Sequence, residues 1–205
     1  MIELQNISVD HDGIRALNSV SAILRSGEVT ALAGRNGSGK STLLSVIAGT
    51  QAHSGSARRP AGTRVAFVVQ RSAVPTSLPL TVRDAVTMGR WGGRPFWRPL
   101  TRDDREIVAD SIRALGLGSL EHRALHRLSG GQRQRALVAQ GLAQRADVLL
   151  LDEPTVGLDD EADVLIGLAI AREAARGVAV VHATHDDAVI AAADRVIRLD
   201  AGVLV

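Results

Sequence analysis

The sequence predicts an α/β fold that carries an inserted helical segment. Short runs of Val, Leu and Ile, bounded by turn residues, alternate along the chain with stretches of helical spacing. A glycine-rich loop at residues 34–39 joins one of these apolar runs directly to a helical stretch. Residues 79–132 contain no convincing strand, and prolines mark the loops of this segment, namely Pro75, Pro79, Pro95 and Pro99.

The individual elements follow from apolar periodicity and from the residues that start and stop helices. Alternation or short apolar runs predict strands at residues 2–9, 18–24, 28–33, 64–69, 147–151, 178–182 and 195–199. Helical spacing predicts helices at residues 40–48, 80–89, 103–116, 130–144, 160–175 and 186–193. Four helix starts carry a side chain that can accept a bond from a free backbone N–H group, namely Thr81, Thr101, Ser129 and Asp159.

The composition excludes several classes of protein. With 45% hydrophobic and 22% charged residues, the 205-residue chain can bury one α/β core. It has no apolar run of about 18 residues and no signal-peptide pattern at its start, so we expect neither a membrane span nor export. Zero cysteines exclude disulfides and thiolate metal sites. A formal net charge of +2 does not indicate a nucleic-acid partner.

Lys40 is the only lysine among 24 Lys and Arg residues, and it lies in a phosphate-binding pattern. The pattern runs from Gly34 to Thr42 as Gly, four residues, Gly-Lys-Ser-Thr. Lysine suits this place because its compact ammonium group fits between phosphate oxygens, whereas arginine is a planar fork. Ser41 supplies a hydroxyl for Mg²⁺. The residues predicted to contact nucleotide here are Gly34, Asn36, Gly37, Ser38, Gly39, Lys40, Ser41 and Thr42.

A pair of acids, Asp152 and Glu153, follows the apolar run of residues 148–151. Ligands of open parallel sheets lie at the carboxyl ends of the strands, where these two side chains emerge on opposite faces. Two acids after an apolar run are more often a surface turn, but the phosphate-binding pattern earlier in the chain favours a catalytic role. We predict that Asp152 helps to hold Mg²⁺ and that Glu153 deprotonates the water that attacks the γ-phosphate.

A second glycine-rich helix start, Leu128-Ser129-Gly130-Gly131-Gln132, can bind another anion. One nucleotide scarcely needs two such sites from one chain. Here the sequence resembles the ATP-binding-cassette (ABC) ATPases, whose signature motif is Leu-Ser-Gly-Gly-Gln. The resemblance implies a homodimer with ATP sandwiched at its interface. In it, Lys40 of one subunit and the signature residues of the other meet the γ-phosphate, and those residues are Ser129, Gly130, Gly131 and Gln132.

The resemblance extends over essentially the whole chain and implies a single ABC ATPase domain, residues 1–205. Its fold would be a P-loop NTPase (RecA-like) core with an antiparallel β subdomain and an inserted α-helical signature subdomain. Residues 1–78 and 133–205 would form the core, and residues 79–132 the helical subdomain. Gln70 matches the glutamine that touches Mg²⁺ or the attacking water. Asp159 matches a residue of the loop that crosses the dimer interface, and His185 matches the histidine that senses the γ-phosphate.

Two residues depart from the family pattern. His11 stands where an aromatic residue, mostly tyrosine, stacks on adenine, and the chain contains no tyrosine. Imidazole offers less stacking area than phenol, so we expect modest base selectivity. Arg35 replaces the usual proline of the phosphate-binding loop, and its guanidinium group either approaches phosphate or stays solvated.

The segment of residues 74–90 is similar to the ATPases of metal-ion and iron-chelate importers, and most of all to those for zinc and manganese. The resemblance implies that ATP hydrolysis with Mg²⁺ drives import of zinc or another divalent metal ion. The partners would be transmembrane permease subunits and, indirectly, a substrate-binding protein, with this chain on the cytoplasmic face of the membrane. A non-transport ABC ATPase in DNA repair or translation and a haem-type exporter ATPase stay as alternatives.

Three of the four aromatic residues of the chain lie close together in the helical insertion, namely Trp91, Phe96 and Trp97. They form either a permease docking surface or the core of a small subdomain. His122 and His126 are spaced for one helical face, which suits either two metal ligands or, more simply, two solvated histidines.

Overall fold

A computed structural model describes residues 1–11, 13–69, 80–92, 99–155 and 159–205. The chain divides into two compact units. The first unit comprises residues 1–67, 146–153 and 173–205, and the second comprises residues 68–145 and 154–172. No helix in the described part of the chain has the length and apolar character that crossing a membrane requires.

The strands form two sheets. A three-stranded antiparallel sheet has the order β2-β1-β4 and consists of β1 (Ile2–His11), β2 (Ile14–Leu24) and β4 (Ser54–Arg58). A six-stranded sheet has the order β5-β6-β7-β3-β8-β9, with β3 parallel to both β7 and β8, and β6 parallel to β7. Its strands are β3 (Val29–Ala33), β5 (Val65–Val68), β6 (Val148–Asp152), β7 (Ala179–Thr184), β8 (Arg195–Asp200) and β9 (Val203–Leu204).

Helix α1 (Lys40–Ala48) joins the two sheets of the first unit into one core. Its residues Leu43 and Leu44 are buried together with Leu4 and Leu17 of the antiparallel sheet and with Leu150 of β6. Full burial of such a side chain contributes about 1.5–3 kcal/mol. The start of α1 is therefore fixed relative to the ends of β3 and β6. Helix α6 (Asp187–Ala192) follows β7.

The second unit is helical. It contains α2 (Val82–Met88), α3 (Arg102–Ala114), α4 (Gly130–Ala143) and most of α5 (Asp160–Ala175), with 3₁₀ turns at Gly118–Leu120 and Leu125–Arg127. Within 80–92 and 99–132 the only β pairing is a single bridge between Thr81 and Ala124, so the predicted lack of strands holds for these residues. The unit extends beyond the predicted helical subdomain of residues 79–132, because α4 packs against α2 and α3.

Local signals predicted the helix starts correctly. Thr81, Thr101 and Ser129 each accept a bond from the N–H group three residues later, and the side chain at that later position bonds back. The Asp159 carboxylate accepts a bond of 2.9 Å from the Ala162 N–H. Such a cap is worth about 1 kcal/mol.

The prediction of one helical face for His122 and His126 is wrong. His122 lies in a turn and bonds to Glu121 (3.0 Å), whereas His126 lies in a 3₁₀ turn, and both are exposed. Among the described residues, no group of three or more His, Cys, Asp and Glu side chains is placed to hold a metal ion. The structure supports the interpretation that both histidines are exposed and solvated.

Candidate nucleotide site

The loop between β3 and α1 is shaped by its contacts with β2. Gly39, the residue before α1, has a φ of +103°, and a Cβ there would lie 2.7 Å from the Ala16 carbonyl oxygen and 2.8 Å from Leu17 Cδ2. Only glycine therefore fits this place. No described side chain caps α1, in contrast to α2, α3 and α4. The first N–H groups and the positive dipole end of α1 can therefore bind an anion.

The Lys40 ammonium group is held within the loop. The residue is 5% exposed, and its Nζ donates to the carbonyl oxygens of Gly34 (2.8 Å) and Arg35 (3.2 Å). The same Nζ lies 3.4 Å from Glu153 Oε1. Burial of an ammonium group is costly unless it is paired, so these three oxygens compensate its charge and fix its position.

Ser38 provides a test of whether a phosphate fits the loop. The residue is 4% exposed, and its Oγ has no hydrogen-bond partner among the described residues. A buried hydroxyl without a partner costs about 1–3 kcal/mol. A phosphate oxygen would accept its proton, so the loop suits the group that the sequence pattern predicts.

Asp152 and Ser41 form a small oxygen-rich site beside the loop. Asp152 ends β6 and is 7% exposed. Burial raises the pKa of this carboxyl above its usual 3.8, while a hydrogen bond from the Ser41 hydroxyl opposes the shift. Carboxylate and hydroxyl oxygens suit Mg²⁺, which takes its other ligands from water and phosphate. The residues present therefore fit a nucleotide-bound magnesium ion.

Glu153 lies between two groups that can be positively charged. Its Oε1 is 3.4 Å from Lys40 Nζ and 3.5 Å from Nδ1 of the exposed His185. The backbone of Glu153 has a φ of +46°, a strained conformation for a residue other than glycine, and its N–H donates to the Ala183 carbonyl (3.0 Å). This bond ties Glu153 to β7, directly before His185. The structure therefore brings together three side chains that are distant in the sequence, since Lys40 lies 113 residues before Glu153 and His185 lies 32 residues after it.

The other predicted residues lie in several places. Asn36 and Gly37 are exposed at the tip of the loop, and Thr42 is half-buried in the first turn of α1. His11 is exposed at the end of β1, where it pairs with Ile14 of β2. The signature residues 129–132 start α4, and Asp159 precedes α5, both in the second unit. Gln70 and residues 156–158 lie outside the described residues.

Sequence patterns did not reveal the β8–β9 turn, which contacts the loop directly. The Gly202 N–H donates to the Ser38 carbonyl (3.1 Å), and the Gly202 carbonyl accepts from the Asn18 N–H (2.8 Å). A glycine between apolar residues, in Asp200-Ala201-Gly202-Val203, is a hairpin signal. It predicts a turn but not its contact partner, because the partner is more than 160 residues away.

Comparison with protein families identifies a relationship over most of the chain. A family model described as ABC transporter matches residues 17–156. The manganese transport system ATP-binding protein MntB of Halalkalibacterium halodurans is 32% identical, over 91% of this chain and 77% of its own length. The zinc import ATP-binding protein ZnuC of Vibrio cholerae is 37% identical, over 97% and 73%. The hemin import ATP-binding protein HmuV of Rhodococcus jostii is also 37% identical, over 98% and 72%.

Solved structures share the fold over the whole chain. A structure titled as an inward-facing, metal-chelate type ABC transporter superposes with a TM-score of 0.86 at 28% identity, over 100% of this chain and 81% of the other. A dimeric ATP-binding cassette bound to ADP and Pi superposes with a TM-score of 0.85 at 25% identity, over 100% and 96%. The predicted α/β core with a helical insertion is therefore confirmed.

Proposed function

The chain belongs to the ABC transporter family and is an ABC-type ATPase, and we propose that it hydrolyses ATP with Glu153 as the general base to drive import. The observation that carries the catalytic assignment is the position of Glu153 Oε1, 3.4 Å from Lys40 Nζ and 3.5 Å from His185 Nδ1. A general base has to reach the water that attacks the γ-phosphate, and Glu153 lies beside Lys40, which would hold that phosphate.

The loop of residues 34–42 would hold the phosphates. Lys40 contributes a positive charge, and Ser38 contributes a buried hydroxyl that lacks a partner among the described residues. The backbone N–H groups of Gly37 and Gly39 and the start of α1 add further donors. Such preorganised donors stabilise negative charge more strongly than water does, because they need not reorient during the reaction. His11, at the end of β1, would stack on the base.

Ser41, Asp152 and Gln70 would hold Mg²⁺ together with the nucleotide. A bound magnesium ion neutralises charge on the β- and γ-phosphates. Asp152 needs to be ionised for this role, and the Ser41 hydroxyl, which donates to it, favours that form. The ion would take its remaining ligands from phosphate and water, as Mg²⁺ usually does.

In the chemical step, a water attacks the γ-phosphorus, the bond to the β-γ bridging oxygen breaks, and Glu153 accepts the proton of the water. ADP leaves with the bridging oxygen, and phosphate is released. His185 would contact the γ-phosphate and orient Glu153. The His185 side chain is 54% exposed, which leaves room for this contact.

We test this assignment with three variants of the same chain. Glu153→Gln should bind ATP normally but lose roughly 10²–10⁴-fold in turnover, the usual worth of a general base. Lys40→Ala should weaken nucleotide binding itself. The matched control is Glu173→Gln, because Glu173 is equally buried (8% exposed, as Glu153 is) yet pairs with Arg176 (2.8 Å). Steady-state ATPase assays measure the loss of turnover, and nucleotide titration measures the loss of binding. Near-normal turnover in Glu153→Gln would reject the assignment of Glu153 as the general base.

The active assembly would be a homodimer in which two ATP molecules are sandwiched. In it, Ser129, Gly130, Gly131 and Gln132 of one subunit would contact the γ-phosphate bound to Lys40 of the other. The start of α4 supports this role, because Ser129 is exposed and its capping box uses the N–H groups of Ser129 and Gln132 but not those of Gly130 and Gly131. These two N–H groups and the helix dipole favour an anion. The likeness to a dimeric ATP-binding cassette supports it as well. Asp159 would contribute to the same interface.

The transported cargo would be zinc or another divalent metal ion. The support comes from the names of the manganese and zinc transport relatives and from the importer-like segment of residues 74–90. The hemin import relative is 37% identical to this chain, as the zinc import relative is, so iron chelates are the competing cargo. Uptake assays with permease-containing proteoliposomes distinguish them. Energy-dependent uptake of Zn²⁺ or Mn²⁺ would support the proposal, and transport of haem alone would contradict it.

Trp91 would belong to the surface that docks the permease. The Trp91 residue is 57% exposed and follows Met88, which is 37% exposed. This exposure favours docking over the alternative of a subdomain core for Trp91, while Phe96 and Trp97 lie outside the described residues. The permease would hold the chain at the cytoplasmic face of the membrane, and a substrate-binding protein would deliver the cargo.

A further inference from the structure

The turn between β8 and β9 binds both the phosphate-binding loop and β2. The Gly202 N–H donates to the Ser38 carbonyl (3.1 Å), and the Gly202 carbonyl accepts from the Asn18 N–H (2.8 Å). A single residue therefore bridges two backbone segments that are twenty residues apart. Both bonds involve backbone groups only, so no side-chain pattern in the sequence reveals them.

The contact is tight enough to require glycine. Gly202 has a φ of +81°, and a Cβ there would lie 2.7 Å from the Ala16 carbonyl oxygen and 3.1 Å from the Ala16 carbonyl carbon. A Cβ on Gly39 would meet the same carbonyl oxygen, also at 2.7 Å. The backbones of β2, the loop and the turn are thus packed around the Ala16 carbonyl group. None of the three can shift alone, because close-packed backbone atoms transmit displacement.

The bond from Gly202 fixes the orientation of one peptide group of the loop. A trans peptide is planar, so its C=O and its N–H point in opposite directions. Because the Ser38 carbonyl faces Gly202, the Gly39 N–H points away from the turn. The N–H groups of this loop are the donors that would bind phosphate.

We propose that Gly202 is a positioning residue for nucleotide binding: the β8–β9 turn sets the direction of the Gly39 N–H and the place of Ser38. The inference rests on the proposed nucleotide site and extends it to a turn outside the phosphate-binding loop. It predicts that nucleotide binding and the stability of the turn are coupled, because each favours the same conformation of the Ser38–Gly39 peptide.

The matched pair Gly202→Ala and Gly62→Ala separates positioning from ordinary backbone strain. Gly62 has a φ of +80°, nearly the same as that of Gly202, but no atom lies within 4 Å of a Cβ built on it. Alanine is therefore strained equally at both positions, whereas only Gly202→Ala displaces Ala16 and the loop. We expect Gly202→Ala to raise the dissociation constant for Mg-ADP roughly tenfold or more, because one hydrogen bond from the loop to a charged phosphate would be lost. Gly62→Ala should change it less than about twofold.

Isothermal titration calorimetry with Mg-ADP, under conditions where circular dichroism shows each variant folded, measures these constants. Hydrogen exchange of the wild-type protein supplies a second test that does not depend on any variant's folding. Mg-ADP should slow exchange of the Gly202 and Asn18 amides, and the Thr63 amide, which bonds within its own turn, should be unaffected.

The outcomes distinguish the inference from the function on which it rests. If the wild type binds no Mg-ADP, the proposed nucleotide site fails. If the wild type binds and Lys40→Ala does not, the site stands. In that case equal dissociation constants for Gly202→Ala and Gly62→Ala, or unchanged exchange of the Gly202 and Asn18 amides, would overturn the positioning role.

Discussion

His182 should make the protein lose stability in mild acid. The residue is 3% exposed in the middle of β7, where it is the register partner of Leu151 in β6 and of Ala31 in β3. Its Nε2 has no hydrogen-bond partner within the described chain. Burial lowers the pKa of His182 to about 4, and the nearby Asp186 carboxylate offsets only part of this effect.

The sign and size of the effect follow from the two pKa values. In the unfolded chain the His182 pKa is about 6.5, so the unfolded state binds more protons than the folded state between pH 6.5 and about 4. The contribution of neutral, buried His182 to the free energy of unfolding is therefore fully present above pH 6.5 and is lost as the pH falls towards 4. At about 1.4 kcal/mol for each pKa unit, the full loss is about 3 kcal/mol, of which about 2 kcal/mol is lost by pH 4.5.

Urea unfolding at pH 7.0 and pH 4.5 measures this loss. In His182→Gln, which cannot titrate, the decrease in unfolding free energy should be about 2 kcal/mol smaller than in the wild type. The control His53→Gln, at an exposed position, retains His182 and should keep the wild-type decrease. Carboxylates titrate in all three proteins, so their effect cancels in the comparison. An equal decrease in His182→Gln and the wild type would refute the reasoning.

Three other substitutions test further roles of individual side chains. Asp152→Asn should melt at or above the wild-type temperature at pH 7.5 but lose ATPase activity, because the raised pKa shows that the ionised carboxylate costs stability above that pKa. This gain should shrink as the pH falls, and a variant that is less stable than the wild type at pH 7.5 would contradict the assignment. Trp91→Ala should cost about 2 kcal/mol of permease affinity in pull-down titrations, with ATPase and melting unchanged. A lower melting temperature with unaltered permease binding would instead show that Trp91 is a core residue. The control is Leu168→Ala, because Leu168 is 64% exposed on α5. Arg90→Ala should lower the free energy of unfolding in urea by about 2 kcal/mol, because the buried Asp104 loses its 2.9 Å ion pair and keeps the bonds from Thr101. A decrease below about 1 kcal/mol would count against this role of Arg90.

Local patterns predicted the parts of the site that depend on neighbouring residues. The phosphate-binding loop, the acids that follow β6 and the helix caps all arise from contacts within a few positions, so spacing and residue type suffice to find them. Thr81, Thr101 and Ser129 cap helices as predicted. The proximity of Glu153 to Lys40 and His185 depends on the strand order β6-β7-β3, which periodicity does not give. The resemblance to a family supplied only the role of His185.

Two strands were missed because their own residues carry no strand signal. Ser54–Arg58 reads Ser-Gly-Ser-Ala-Arg, without apolar alternation, and it is a strand because it pairs with β1 at the sheet edge. Val203–Leu204 is only two residues long. The Gly202 contact with Ser38 was missed for a related reason, since a backbone bond between distant segments leaves no mark in either segment. Tertiary structure, and not local preference, determines these features.

We expect two copies of this chain to enclose ATP, with Lys40 of one and Ser129 of the other on the same γ-phosphate. Light scattering on Glu153→Gln, in which hydrolysis is blocked, tests it directly. Without nucleotide we expect a mass near the 21.6 kDa of one chain. With Mg-ATP the mass should double, and an added Ser129→Arg substitution should prevent the doubling. A mass that does not change with Mg-ATP, or a dimer that still forms with Ser129→Arg, would contradict the proposed dimer.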